Sequence, residues 1–345
     1  MKKICLFDPS YVTIKGLPFV KEGHLSRFPL HLSKTIWHEN PALESLSYHL
    51  SGGVLFFETD ANRLEFDVLY EMEPVMNHMS ALGESGFDLY ILHEGRFVFY
   101  DSIRPFPRQK MLKTTVILHP SGLKKIMMYT PLYTKVTHAY VHLEDVYSIK
   151  PYEPGYHKRI FWYGTSITQG ACASRPGMSY TNQLSRELNV EVINMGFSGN
   201  GLGELGVARV THELSQLDAV IIDYEANAGA VFKLKETLVP WIQCIREKHK
   251  NVPIMVISRI PFTRELWQPE DHQKRMDHKD YQQRIVTECQ DLHPLYFIDG
   301  EELIYLDEHE VTVDGIHLND LGMTLFAKRL LPKLKHILFN DKIEI

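Results

Sequence analysis

The feature that most restricts this chain is a change of rhythm near residue 150. Up to Tyr147 the apolar residues come in short, strand-like runs, several of them alternating with polar residues: Gly53-Val-Leu-Phe-Phe-Glu-Thr, Arg63-Leu-Glu-Phe-Asp-Val-Leu-Tyr, Phe87-Asp-Leu-Tyr-Ile-Leu, Arg96-Phe-Val-Phe-Tyr, Thr114-Thr-Val-Ile-Leu and Lys125-Ile-Met-Met-Tyr. Turn signals separate them at Gly52-Gly53, Asp60-Ala-Asn62, Glu94-Gly95 and Pro120-Ser-Gly122. Many short strands with few helical stretches between them predict a β-sandwich or jelly roll. After the Pro/Gly-rich segment Pro151-Tyr-Glu-Pro154-Gly155 the pattern becomes strand, helix, strand. Strands are expected at Ile160–Tyr163, Val190–Met195, Ala219–Asp223, Ile254–Ser258 and Leu295–Ile298. Helices are expected at Tyr180–Leu188, around Leu205–Leu214, and at Val231–Lys248, Tyr281–Leu292 and Leu321–Leu338. Spacings of about thirty to forty residues fit right-handed βαβ units and a parallel sheet in three layers. Pro240 and Pro332 should kink or split their helices. Two domains follow, residues 1–155 all-β and residues 156–345 α/β.

Composition narrows the function. An apolar content of 44% supplies cores for both halves, and a formal net charge of −6 without any Lys/Arg block argues against a nucleic-acid or anionic-membrane surface. The apolar start of Met-Lys-Lys-Ile-Cys-Leu-Phe-Asp-Pro is broken by Asp8 and Pro9, too early for a secretory signal, and no stretch is long enough to span a membrane. Cys5, Cys172, Cys244 and Cys289 lie far apart and form no CxxC pair, which fits a cytoplasmic, thiol-reduced protein.

In a sheet of this kind ligands gather at the carboxyl ends of the strands. Four loops expected there carry reactive groups: Gly164-Thr165-Ser166 after the first strand, Asn194-Met-Gly196-Phe-Ser198-Gly199-Asn200-Gly201 after the second, Asp223-Tyr-Glu225-Ala-Asn227-Ala-Gly229 after the third, and Asp314-Gly-Ile-His317-Leu-Asn319 near the C-terminus. Each alone has an ordinary explanation: Ser166 or Asn319 capping a helix, Asp314-Gly315 or Asn227 closing a turn. Together they supply a nucleophile, an imidazole base, a carboxylate to orient it and donors for an oxyanion.

On those blocks the chain resembles the SGNH, or GDSL-type, hydrolases, esterases built on a flavodoxin-like sheet. The serine block is Gly164-Thr165-Ser166 where the family usually has Gly-Asp-Ser. The glycine block corresponds to Ser198-Gly199, the asparagine block to Glu225-Ala226-Asn227-Ala228 in place of Gly-x-Asn-Asp, and the DxxH block to Asp314-Gly-Ile-His317. Gly86-Phe87-Asp88-Leu89-Tyr90 is similar to the GxDLY motif of a β-domain that precedes one bacterial subfamily, which Ser166-Ile-Thr-Gln-Gly170 and Cys172-Ala-Ser-Arg175-Pro-Gly177 also resemble. The resemblance implies Ser166 as nucleophile, His317 as base and Asp314 as its orienting acid. The oxyanion hole would be the N–H of Ser166, the N–H of Gly199 and the amide of Asn227, with glycine at 199 so that the backbone can approach the oxygen closely.

Other candidates are weaker. His138 and His142 stand ~13 Å apart in a strand, at ~3.3 Å per residue, too far to share one metal ion. The loop from Gly196 to Gly203 lacks the Lys-Ser/Thr of a phosphate loop. Glu225 is expected to line the pocket or pair with a cation such as Arg175, and Arg175 either touches substrate or anchors its loop. The run from Asp271 to Asp280 reads as a solvated loop, a helix start or a lid.

The sequence therefore predicts a flavodoxin-like three-layer α/β domain preceded by a jelly-roll-like β-sandwich. Its expected activity is that of a serine esterase cleaving small acyl esters, acetyl first, from an O-acetylated carbohydrate, with no cofactor and no metal. A small-molecule or oligosaccharide ester is the expected partner, rather than nucleic acid or membrane, and homo-oligomerisation is left open. The alternatives are a thioesterase, lysophospholipase or acyltransferase using the same triad, or an inactive carbohydrate-binding protein.

Overall fold

A computed structural model describes residues 1–21, 23–120 and 122–340; Ser121, in the turn expected at Pro120-Ser-Gly122, lies outside them. The first half forms two antiparallel sheets. One runs Lys2–Cys5, Val136–Leu143, Arg63–Tyr70, Met111–Ile117. The other runs Ile149–Pro151, Val54–Thr59, Lys124–Tyr129, Phe87–His93, Arg96–Ile103, with Thr13–Lys15 also paired to Val54–Thr59. Alternation does its work in Arg63–Tyr70, where Leu64, Phe66, Val68 and Tyr70 point into the core between the sheets. Glu94 and Gly95, both with positive φ, form the two-residue turn that lets Phe87–His93 pair with Arg96–Ile103.

The runs Val-Leu-Phe-Phe and Ile-Met-Met-Tyr do not alternate because their sheet is covered on both faces. Leu55, Phe57 and Met128 face the sandwich core. Val54, Phe56, Tyr90, Met127 and Tyr129 face the other way, against Tyr152 and Tyr156. There Arg186, from the helix Tyr180–Leu188, lies over the Tyr90 and Tyr129 rings.

The second half is a five-stranded parallel sheet in the order Glu191–Gly196, Arg159–Gly164, Ala219–Asp223, Ile254–Ile257, Leu295–Ile298. Numbered along the chain this is 2-1-3-4-5, so the topology reverses beside the strand that leads to Ser166. Its strands are sandwiched. Ile160 and Trp162 pack with Tyr180, Leu184, Phe326 and Leu330 on one face, and Phe161 and Tyr163 pack with Val207, Leu238, Trp241 and Ile245 on the other. That second layer also holds Phe28, Ile36 and Leu43 from the first half of the chain. The helix Leu30–Glu39 thus belongs to the α/β core and not to the sandwich.

One expectation narrows and one changes. Val231–Lys248 and Asp320–Phe339 run through Pro240 and Pro332 without splitting. Proline costs a helix interior ~3 kcal/mol, whereas the first helix buries Leu234, Leu238, Trp241, Ile242 and Ile245 at ~1.5–3 kcal/mol each. The helix expected to begin at Tyr281 begins at Pro269 and ends at Glu288, so the Asp271–Asp280 run is helical rather than a loop or lid. No helix among the described residues is long and apolar enough to cross a membrane.

Candidate active site

The strand Arg159–Gly164 ends in a single helical turn, Ser166–Gln169. Thr165 is its cap: its hydroxyl accepts from the Ile167 N–H at 3.3 Å, while Thr168 Oγ1 accepts from the Thr165 N–H at 3.3 Å. The capping role belongs to the threonine that stands where the family usually has Asp, which leaves the Ser166 hydroxyl free. Gly170, at φ +106°, turns the chain away.

Ser166 Oγ lies 2.8 Å from His317 Nε2, and His317 Nδ1 lies 2.7 Å from Asp314 Oδ2. Asp314 Oδ1 accepts from the backbone N–H of His317 at 2.8 Å and of Ile316 at 3.1 Å, so the carboxylate is fixed by its own loop. Burial pushes its pKa up, but the hydrogen bonds from His317 outweigh that and hold it below the usual value. An ionised Asp314 keeps the proton on Nδ1 and presents the Nε2 lone pair to the Ser166 hydroxyl. Ser166 is only 7% exposed, so the pair meets under cover from bulk water.

Gly199 and Asn227 sit on the neighbouring loops. Gly199 has φ +64°, in the left-handed region that favours glycine, and no protein atom lies within 4 Å of where a Cβ would stand, so the backbone conformation by itself selects glycine there. Asn227 Nδ2 donates one hydrogen to the Asn200 carbonyl and keeps a second. Gly196 and Gly201 are crowded: a Cβ at either would come within 2.3 Å of backbone in the serine turn, the Gln169 nitrogen and the Gly164 carbonyl oxygen respectively, so the serine turn and the glycine loop pack backbone to backbone.

Residues that sequence reasoning passed over hold these loops. Gln169, fully buried, accepts from the Ser198 N–H at 2.9 Å and donates to the Leu132 carbonyl at 2.9 Å and to His49 Nδ1 at 3.1 Å. Burial lowers the His49 pKa to about 3, so the ring is neutral and can accept. Tyr133 donates to the Ser166 carbonyl at 2.9 Å. Arg27, also buried, donates to the carbonyls of Asn194 and Gly196 at 3.0 and 2.7 Å, just ahead of the glycine loop. Arg27, His49, Leu132 and Tyr133 of the first half thus brace the serine turn and its neighbour, and Ser51 Oγ adds a bond to the Gln169 carbonyl at 2.6 Å. The one sequence signal was Gln169 itself, inside the Ser166–Gly170 motif.

The carboxylates and Arg175 are placed differently from expectation. Arg175 pairs with the fully buried Asp88 at 2.8 Å and donates to Tyr90 Oη at 2.8 Å, and Asp88 also accepts from the Gly177 N–H at 2.7 Å. The Asp and Tyr of GxDLY therefore anchor the Arg-Pro-Gly loop. The Arg175–Glu225 pair does not form. Glu225 is buried against Arg259, accepting from its backbone N–H at 2.7 Å, and also accepts from Gln282 at 2.5 Å. Asp223 accepts from Tyr180 at 2.9 Å and Thr168 at 3.2 Å, and burial pushes its pKa up to about 7.

One segment of the sandwich side covers the site. The carboxylate of Glu84 accepts from the N–H groups of Val75 and Met76 at 3.2 and 3.0 Å, and two residues on the His78 ring lies 5.5 Å from the His317 ring. The His78 carbonyl accepts from Cys172 Sγ at 3.3 Å.

Comparison with known proteins agrees with the two-part fold. The profile of the GDSL-like lipase/acylhydrolase family matches residues 157–335, and the GxDLY profile, described as the N-terminus of the SGNH-hydrolase type of esterase, matches residues 7–149. A solved structure from Bacteroides ovatus ATCC 8483, described as a GDSL-like lipase, is 25% identical with a TM-score of 0.89, covering 100% of this chain and 99% of that one. The salicylyl-acyltransferase of a tetracycline biosynthetic pathway is 18% identical with a TM-score of 0.76 over 95% of each chain. An acetyl xylan esterase from the rumen bacterium Butyrivibrio proteoclasticus is 13% identical with a TM-score of 0.61 over 97% and 98%. No curated protein matches the sequence.

Proposed function

We propose a reaction for a chain that belongs to the GDSL-like lipase/acylhydrolase family: hydrolysis of short acyl esters, acetyl above all, carried by a carbohydrate, with Ser166 as nucleophile. The observation that carries this reading is the relay from Ser166 Oγ to His317 Nε2 at 2.8 Å and from His317 Nδ1 to Asp314 at 2.7 Å. Ser166 Oγ bonds to the ester carbonyl carbon as its proton passes to His317 Nε2. The N–H groups of Ser166 and Gly199 and the free hydrogen of the Asn227 amide stabilise the oxyanion, each worth roughly 3 kcal/mol in such sites. Collapse breaks the bond to the alcohol oxygen, which takes the proton back from His317. Water then attacks the acyl-serine with the same base, releasing the acid and restoring Ser166.

A short acyl group suits a site covered by the segment that carries His78 and flanked by the buried Cys172. A carbohydrate alcohol suits the fold shared with an acetyl xylan esterase, an analogy at the level of architecture. Arg175 and Glu225, whose charges are met inside the protein, have no part in this scheme.

A fluorophosphonate probe should label the protein and leave Ser166→Ala unlabelled, and acetate should be released from acetylated sugars. Among p-nitrophenyl esters, kcat/KM should fall as the acyl chain lengthens. A folded protein that does not react with the probe would refute the nucleophile, and a preference for long chains would refute the substrate class.

A further inference from the structure

We propose that His78, Cys172 and His317 form a binding site for a soft divalent cation, zinc foremost, whose occupancy withdraws the base from Ser166 and switches the esterase off. One ligand atom from each residue lies within 4.8 Å of the other two. Three separate segments bring them together: the stretch before Ala81–Ser85 on the sandwich side, the turn after the serine motif, and the DxxH loop. In a tetrahedral zinc site neighbouring ligands stand ~3.3–3.8 Å apart, so each needs to move by less than about 1 Å.

The hydrogen bonds of the two histidines point the same way. His317 Nδ1 is held by Asp314 at 2.7 Å and His78 Nδ1 by Asn77 Oδ1 at 3.2 Å. An oxygen on Nδ1 keeps the proton there and leaves Nε2 with its lone pair, the arrangement that orients metal-ligating imidazoles. Cys172 is held in place by unusual backbone, at φ +66°, and by its bond to the His78 carbonyl. No step in the esterase scheme uses Cys172 or the His78 ring.

Two imidazoles and a thiolate favour zinc over magnesium or calcium and leave a fourth position for water. On binding, the Cys172 proton leaves to solvent, the sulfur and both Nε2 atoms bond to the ion, and the Ser166–His317 bond is broken; no electron is transferred. The inhibition rests on the esterase reading, whereas the binding does not. A second cluster, His212, Cys244 and Glu247, lies away from the catalytic loops, and His212 Nε2 is already bonded to the Cys244 carbonyl at 2.7 Å.

The test uses cobalt as a spectroscopic probe and zinc as the inhibitor. One equivalent of Co²⁺ should give a thiolate-to-cobalt charge-transfer band in the wild-type chain and in Ser166→Ala, lost in Cys172→Ser and weakened in His78→Gln. Zinc should slow fluorophosphonate labelling and ester turnover reversibly, with a chelator restoring both. Cys172→Ser should need at least about tenfold more zinc for the same fractional inhibition, each protein being read against its own zinc-free turnover. Absence of the band in the wild-type chain, or zinc sensitivity unchanged in Cys172→Ser, would overturn the site. A cobalt band in a protein that no phosphonate labels would keep the site and remove the esterase reading.

Discussion

Replacing Gln169 by leucine separates what the serine turn needs for stability from what it needs for catalysis. The side chain is fully buried and makes three hydrogen bonds, and their partners differ in access to water. Leu132 is fully buried, so its carbonyl loses its partner with no replacement, a loss of roughly 1–3 kcal/mol. Ser198 is only half-buried, so water can take over at its N–H and the effect on stability there is small; the His49 ring, buried enough to be held neutral, adds its own share to the loss. The Ser198 N–H, however, is the tether that fixes Gly199 against the turn. Once released, Gly199 is no longer held in the place the proposed mechanism requires of an oxyanion donor. The loss should lie between about tenfold and the hundredfold or more that removal of a whole donor brings. The expected result for Gln169→Leu is a destabilisation of about 2 kcal/mol by equilibrium urea unfolding, with kcat for p-nitrophenyl acetate down at least tenfold and KM within about twofold. A folded variant that loses the stability but keeps wild-type kcat would refute the positioning argument, because a purely structural glutamine predicts that outcome.

Tyr133→Phe should be milder, about 1 kcal/mol, because the Ser166 carbonyl also accepts from Gly170 and Ala171; a loss above ~3 kcal/mol by urea unfolding would contradict that accounting. Asp88→Ala should destabilise by ~3 kcal/mol, at the low end for a broken ion pair because Arg175 is 20% exposed. Adding Arg175→Met should recover part of the loss, and strict additivity of the two would argue against the pair. Asp223, raised to about 7 by burial, keeps its proton in the native state after the unfolded chain has lost it above about pH 4. The group therefore makes the fold less stable as pH rises from ~4 to ~7, by at most about 1.4 kcal/mol per unit. In Asp223→Asn that slope should flatten in urea unfolding followed across this range, and an unchanged slope would sink the assignment.

Strand and helix positions were legible in the sequence because apolar periodicity is a local property: Tyr180–Leu188 and Val231–Lys248 lie where the pattern put them. The helix Pro269–Glu288 was half missed for a physical reason. It buries Arg275, His278, Tyr281, Gln282 and Val286, but the half that was missed buries only the polar Arg275 and His278, with Glu265 and Glu301 meeting Arg275. A hydrophobic pattern cannot reveal a face whose burial is made possible by ion pairs.

The same distinction runs through the site. The sequence by itself determined which reactive groups exist and, through βαβ order, that their loops open at one end of a sheet. Asp314 and His317 are three residues apart, and their pairing was expected from the resemblance of that block to the family's DxxH. Only the tertiary structure decided what holds the Ser166 turn: Gln169 meets Leu132 and His49 across 37 and 120 residues, and Arg175 meets Asp88 across 87. It also decided that His78 covers His317 and that Phe28, Ile36 and Leu43 belong to the α/β core. Such contacts satisfy buried polar groups or fill a particular gap, and partners so far apart in the chain leave no periodic trace in it.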